Sequence, residues 1–429
     1  MPAAEGPIPF SLLPDTAEVG PGGRLQIGGV DVCDLAGEHG TPLFVYDEAH
    51  LRARCREAVE AFGPGNVVYA TKAFLCLAMA RLAHEEGLLL DVATGGELHV
   101  ALAAGVPADR LVLHGNNKSL DELRTALAAG LRHVVVDSFD ELDRLDVLHA
   151  EGLPVPRVQL RITPGVEAHT HEYVRTGQDD SKFGFGLNTG MALLAVERAL
   201  SSPSVLLVGL HMHIGSNVFT VRNFARATEV MAGFFQPLGL PEVTLGGGLG
   251  VAYVVGEEAP TLSQWGKVLR EAAASSGMTA RVMVEPGRSI VAGAAVTLYT
   301  VGTVKEIPGI RTYVAVDGGM SDNPRPVLYG SGYEAFLPRE PLAERTRRVR
   351  IVGKHCESGD VLLHEAQVPD DLAVGDVLAT PVTGAYGHSM GSNYNKVPRP
   401  PVLFVRDGQA SVVVRRETYD DLTRLDVLP

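Results

Sequence analysis

The run NVVYATKAFLCLAMARLAHEEGLLLDVATGGELHVALAAG, residues 66–105, decides the fold. Two short apolar segments, NVVYA (66–70) and LLLDVA (88–93), are each followed by a stretch of helical period. Strands separated by helices signal a parallel sheet. The unit repeats outward as RLVLHG (110–115), HVVVDS (133–138), RVQLRIT (157–163), LLVGLHMHI (206–214), EVTLGGG (242–248) and RVMVEPG (281–287). Eight strands with intervening helices over roughly 220 residues predict an α/β fold of the (β/α)8 TIM-barrel type. Helix-start chemistry agrees. The S/T-x-x-E/Q pattern, whose side chains satisfy the free N–H groups of a first helical turn, occurs at Thr94/Glu97, Ser119/Glu122, Ser138/Glu141 and Thr261/Gln264, each shortly after a strand.

Around the barrel the pattern changes. Residues 164–187, PGVEAHTHEYVRTGQDDSKFGFGL, are polar and aperiodic, and a loop of that length on the C-terminal barrel face predicts a lid. After Gly287 come short alternating strands punctuated by Gly and Pro (AVTLYTV, RTYVAVDGG, RRVRIVG, SVVVRRE), which predict a separate β domain, a sandwich or small barrel. The N-terminal segment does not fit the barrel rhythm and is assigned to that domain, giving a barrel over 42–291 and a β domain from 1–41 and 292–429. Two domains suit a chain of 429 residues with 45% hydrophobic and 21% charged residues. A net charge of −14 without any basic run excludes nucleic-acid binding. No apolar run reaches the ~20 residues of a membrane helix, and the N-terminus has no basic and apolar leader, so a cytoplasmic location is expected. Cys33, Cys55, Cys76 and Cys356 form no CxxC pair and are read as reduced thiols.

Catalytic groups of such barrels gather at the C-terminal strand ends. Those ends carry Lys72, Asp91, His114, Arg161, His213 with Ser216, Gly246–Gly248, and Glu285 with Arg288. Only seven of 37 basic residues are lysines, so the chain uses arginine for ordinary charge. Lys72 reads either as a solvated loop lysine or as a partly desolvated amine able to form an imine, which arginine cannot do. Lys118 is expected to be dispensable for that chemistry. Gly246-Gly247-Gly248-Leu249-Gly250 reads as a tight turn or as a backbone nest for a phosphate, without the pattern of a nucleotide P-loop. His211 and His213, two apart on a strand, face one side. They suit packed core histidines, a metal pair needing further ligands such as those in HTH (169–171), or an imidazole stacked on an aromatic cofactor. Glu285 could hold a heteroaromatic N–H+, and Arg288 an anion.

Together YATKAF (69–74), LDVATGGEL (90–98), HGNNKS (114–119), HMHIGSN (211–217), GGGLG (246–250), EPGRSIVA (285–292), VDGGMSDNPRPVLY (316–329), CESGD (356–360) and GAYGHSMGSNYN (384–395) resemble the fold-type III pyridoxal-phosphate decarboxylases, the diaminopimelate decarboxylase family most closely. The resemblance runs over nearly the whole chain. It implies pyridoxal 5'-phosphate as cofactor, no metal, and decarboxylation of meso-2,6-diaminopimelate to L-lysine through a Schiff base on Lys72. It implies His213 stacked on the cofactor ring, Glu285 on the pyridine nitrogen, and Ser216, Gly246, Gly247, Gly248 and Tyr386 on the phosphate. Asp91, Arg161, Gly287 and Arg288 complete the cofactor set. Arg288, Arg325, Tyr329, Glu357 and Tyr386 would bind the substrate. Cys356 would act from a partner subunit, making a homodimer with shared active sites. A carboxylate at 285 favours a decarboxylase over a racemase of the same fold type. An ornithine-, lysine- or arginine-type decarboxylase is the alternative substrate reading, and a metal-dependent barrel hydrolase the alternative class. Asn217 departs from the Gln common in HIGSQ.

Overall fold

The computed structural model describes residues 6–165 and 180–429. The centre of the predicted lid and the HTH run lie outside the described residues. All eight predicted barrel strands form: β1 (Val68–Ala70), β2 (Leu89–Val92), β3 (Leu111–Leu113), β4 (His133–Val136), β5 (Arg157–Thr163), β6 (Leu206–Met212), β7 (Glu242–Thr244) and β8 (Arg281–Met283). They pair in sequence order, all parallel. A parallel bridge between Val67 and Val284 closes the ring, with the Val68 amide donating to the Val284 carbonyl at 2.8 Å.

The capping pattern marks the helices that follow. Ser119 and Thr261 form complete boxes with Glu122 and Gln264. Thr94 and Ser138 accept from the Glu97 and Glu141 amides, while those two glutamate side chains reach one residue further back, to the Ala93 and Asp137 amides.

Strand alternation sorts the barrel interior into layers, because every second side chain faces the same way. Val68, Leu89, Val112, Val135 and Met283 form a buried apolar cluster at mid-height. Two residues further along β2, β3, β4 and β8, on the same face, stand Asp91, His114, Asp137 and Glu285. Two residues back on β4 stands His133. An apolar layer thus separates two polar ones.

The chain divides into two compact units, residues 54–251 with 259–289, and residues 1–53 with 252–258 and 290–429. The first division differs from the expected one at 42, because Leu43–Asp47 is a strand of the other unit. It pairs antiparallel with Ala295–Ile307 (β9) and parallel with Val402–Arg406. That unit is a mixed sheet in which β9, 13 residues long, serves two neighbourhoods. Its first half lies between Leu43–Asp47 and Val377–Pro381, and its second half pairs with Arg311–Val316.

Candidate active site

Glu285 is the centre of the upper polar layer. Its Oε1 lies 3.0 Å from His114 Nε2, and its Oε2 2.9 Å from His211 Nε2. The His211 contact has hydrogen-bond geometry; the His114 contact has the distance of an ion pair without the angle. The two imidazoles meet edge to face at 5.1 Å. Burial alone would raise the Glu285 carboxyl, but His211 and His114 hold it well below the usual carboxylate range, so it is ionised. Burial pushes His211 down to about 4, so it is neutral. Burial works against a charge on His114 too, yet Glu285 and Asp91 raise it. Asp91 is pushed up to about 6 by burial, against the pull of His114 and Lys72.

Beside this layer lies the glycine turn. Gly246 and Gly248 have φ of +67° and +103°, a region that glycine enters without strain. A Cβ on Gly246, Gly247 or Gly248 would strike the carbonyl oxygen of Met212, Glu285 or Gly215 respectively. The glycines therefore let three strand ends close on one another and bring the turn against Gly215, next to Ser216. The Gly247 amide donates to His213 Nδ1 at 3.3 Å, which leaves the proton of a neutral His213 on Nε2. His213 is held well below its ordinary value by desolvation, with Lys72 and Arg161 adding repulsion. Arg288 Nη2 donates to Ser216 Oγ at 2.9 Å. Asn217 has φ +60°, a conformation Asn tolerates better than longer side chains do.

Gly287 belongs to the barrel closure, since a Cβ there would sit 2.9 Å from the Ala70 carbonyl oxygen. Arg161 is buried, 3.8 Å from Asp137 and stacked 4.3 Å from the Phe183 ring. Lys72 stands in a 3-10 turn directly after β1 and is exposed in the single chain, within the field of the buried Asp91 and His213. The side chains around its strand end are charged rather than apolar. Lys118 is the contrasting case. It is buried against Glu141 at 2.8 Å and donates to the Gly115 and Val135 carbonyls at 2.7 Å each, so it is a structural anchor for the turn after His114.

The remaining predicted residues lie in the other unit. Arg325 is 4% exposed, its guanidinium 4.2 Å from the Tyr253 ring and its Nη1 2.5 Å from the Tyr333 hydroxyl. Its Nε is buried without a hydrogen-bond partner, and no carboxylate pairs with it among the described residues. Tyr386 contributes to its field and is held at φ +64°. Tyr329 closes the short helix that Arg325 opens. Cys356 and Glu357 are exposed on a turn fixed by Asn395, which accepts from the Cys356 amide at 3.0 Å, and by Asp360, which accepts from the His355 and Met320 amides at 2.9 and 2.7 Å.

The sequence reading gave no role to His114, Lys118, Tyr253 or Tyr333. HGNNKS at the end of β3 was the available signal for the first two. Of the histidine pair, His211 turns to Glu285 and His213 to the glycine turn. Among the described residues, the cluster with metal-ligand proximity is His114, His211 and Glu285, in which each carboxylate oxygen already faces an imidazole nitrogen.

The donor set fits a phosphorylated pyridine aldehyde. An ionised carboxylate suits a ring N–H+, a flat neutral imidazole suits a ring face, and Arg288 with Ser216 beside a glycine turn suits a phosphate. An amine at the strand end suits the aldehyde carbon. Fold and site thus define a barrel enzyme of the pyridoxal-phosphate class.

The pattern described as "Pyridoxal-dependent decarboxylase, pyridoxal binding domain" matches residues 48–292. Diaminopimelate decarboxylase of Mycobacterium tuberculosis is 46% identical over 94% of this chain and 95% of its own, and that of Bacillus subtilis is 46% identical over the same shares. The crystal structure of diaminopimelate decarboxylase from M. jannaschii in co-complex with L-lysine superposes with a TM-score of 0.90 at 33% identity, covering 97% of this chain and 98% of that one. The chain belongs to the diaminopimelate decarboxylase family of pyridoxal-dependent decarboxylases. It is a pyridoxal-phosphate-dependent carboxy-lyase.

Proposed function

We propose that this protein decarboxylates meso-2,6-diaminopimelate to L-lysine and CO2, the last step of lysine biosynthesis. The observation that carries the substrate is Arg325, a buried guanidinium whose neighbours are tyrosines. Burying a cation without a carboxylate is costly, and a second substrate carboxylate relieves that cost, which ornithine, lysine and arginine lack. The names of the relatives support the same substrate.

Lys72 would hold the cofactor through its side-chain amine. Ser216, Arg288 and the Gly246–Gly248 backbone, with Tyr386, bind the phosphate. His213 would pack against the ring, with Asp91 and Arg161 completing the polar wall. When bound, pyridoxal phosphate supplies a protonated ring that accepts the electron pair left as CO2 departs. Glu285 keeps the ring nitrogen protonated. Arg325, Tyr329, Glu357, Tyr386 and Arg288 bind the distal end of the substrate. Cys356 of the partner subunit delivers the proton to Cα, so a homodimer is the working unit. The reading includes a cytoplasmic location, supported by four cysteines that form no disulfide. No helix among the described residues is long and apolar enough to cross a membrane.

The test is kcat/KM for diaminopimelate, lysine, ornithine and arginine on one preparation, with discrimination of roughly 10⁴ or more expected, because an unpaired buried polar group rejects the analogue. Ornithine equal to diaminopimelate overturns the substrate and leaves the cofactor. Mixing Lys72→Ala and Cys356→Ala subunits should restore about a quarter of wild-type activity in a C2 dimer with one intact site per mixed pair. No restoration after proven exchange overturns the shared site.

A further inference from the structure

We propose that His114 is a positioning residue for Glu285: as an imidazolium against Oε1, it keeps the buried carboxylate ionised and fixed for the cofactor's ring nitrogen. The inference rests on the role proposed for Glu285 above. Three observations lead to it. Both carboxylate oxygens face imidazole nitrogens, at 3.0 and 2.9 Å, on residues that are 7% exposed or less. The two imidazoles are also in contact with each other, at 5.1 Å between ring centres, so two cations there would repel. One charged and one neutral ring is the arrangement that balances one carboxylate.

His114 is the ring that carries the charge. The groups facing this cluster are Lys72 after β1, Asp91 on β2, Arg161 on β5, and His211 and His213 at the end of β6. Asp91 and Glu285 both favour a charge on His114, whereas His211 is disfavoured by burial and then by His114 and Arg161. The backbone fixes the ring in place. The His114 amide donates to the Val92 carbonyl at 2.8 Å, and Lys118, tied to Glu141, grips the carbonyl of the next residue, Gly115. Gly115 has φ +114°, and a Cβ there would sit 3.0 Å from the Ala93 carbonyl oxygen, so the turn that aims His114 admits little else.

The sign of the effect follows. Without a cation beside it, Glu285 binds a proton more readily, and a protonated Glu285 no longer favours a ring N–H+. Pyridoxal phosphate binding to His114→Gln should therefore weaken as pH falls. The measurement is the equilibrium dissociation constant of pyridoxal phosphate from the apo-dimer between pH 5.5 and 8.5, expressed as variant over wild type so that the cofactor's own ionisations cancel. For His114→Gln the ratio should climb toward acid by up to roughly tenfold per pH unit, the slope of one linked proton. For His211→Gln, which exchanges one neutral donor for another, it should not vary with pH. In the wild-type apo-enzyme the side-chain ¹⁵N spectrum should show one imidazolium persisting to pH 8, absent from His114→Asn. A pH-independent ratio for His114→Gln, or a spectrum with only neutral rings at pH 7, overturns the proposal. The spectrum needs no variant to fold. Should wild type bind the cofactor with no dependence on Glu285 (Glu285→Gln equal to wild type in affinity and visible spectrum), the role of Glu285 itself fails, a result distinct from a flat His114→Gln ratio.

Discussion

The barrel carries a buried glutamate at each end, and each faces histidine, yet the two ends differ in where the positive charge sits. At the lower end, Glu242 of β7 lies 3.0 Å from His133 Nε2, and Arg132 and Arg157 approach it at 3.5 and 3.6 Å. Burial first, and the two arginines after it, hold His133 below its ordinary value. The arginines supply the charge and the histidine stays neutral. At the upper end the arginine near Glu285 is Arg161, which is committed to Asp137, and the charge falls to His114. A cluster closed by arginines is complete as folded. One balanced by histidine beside open glycine and lysine elements is built to receive something.

The sharpest way to break this comparison is at Lys72. Lys72→Ala should cost roughly 10⁴-fold or more in kcat, as loss of a covalent catalytic group does, and should abolish the borohydride-reducible visible band. Lys267→Ala, on an exposed helix face, is the proper control. Retained turnover in Lys72→Ala places the imine elsewhere. Next in size is Glu285→Gln, expected to lower kcat by roughly 10²–10³ through loss of electrostatic stabilisation. Glu242→Gln should leave kcat within about twofold, as befits a group on the barrel face opposite the active end. Equal loss of kcat in the two variants would erase the distinction between the ends.

Lys118→Ala tests the scaffold of the upper end. It leaves Glu141 buried and uncompensated, a change that costs about 3–5 kcal/mol; chemical denaturation should show it, and the pair Lys118→Met/Glu141→Leu should recover most of it. No loss in the single variant would mean water reaches Glu141.

The smallest effect is at the lower end. Glu242→Gln should cost about 1–2 kcal/mol, the scale of a hydrogen bond to a charged group. Glu242 and His133 both titrate lower in the folded chain than in the unfolded one. Their contribution is therefore full above the unfolded values, about 4.3 and 6.5, and is lost as pH falls toward the folded ones. The Tm gap between wild type and Glu242→Gln should shrink only as pH falls below about 4.3, where Glu242 itself takes up a proton; a gap that stays constant from pH 5 to pH 2.5 contradicts the assignment.

Much of this was legible before any coordinates. Strand period and helix caps located all eight strands, because apolar alternation and N-cap chemistry are local. The upper polar layer was legible as strand ends, since residues two past an apolar layer residue must share its face. Pairings across strands were not. That Glu285 meets His114 of β3 and His211 of β6 depends on barrel register, which no single strand encodes. The burial of Lys118 was not legible, because an ion pair with the distant Glu141 leaves no trace in its own neighbourhood. The choice between a solvated and a desolvated Lys72 was not legible either, because it depends on which strand ends surround the residue; Lys72 is exposed in the single chain yet lies within the field of Asp91 and His213. Leu43–Asp47 escaped because its partners lie some 250 and 360 residues downstream.

That last strand has a consequence for how the protein is made. All five residues of Leu43–Asp47 are buried, and both neighbours, β9 and Val402–Arg406, are translated after the whole barrel. At about 5–20 residues per second, the strand leaves the ribosome and waits roughly 10–50 s with its edges unpaired before β9 emerges. For that interval the nascent chain displays LFVYD, an apolar β-former, without either of its strand neighbours. The β domain is thus completed last although one of its strands is made before the barrel, and chaperone engagement during synthesis should centre on this stretch.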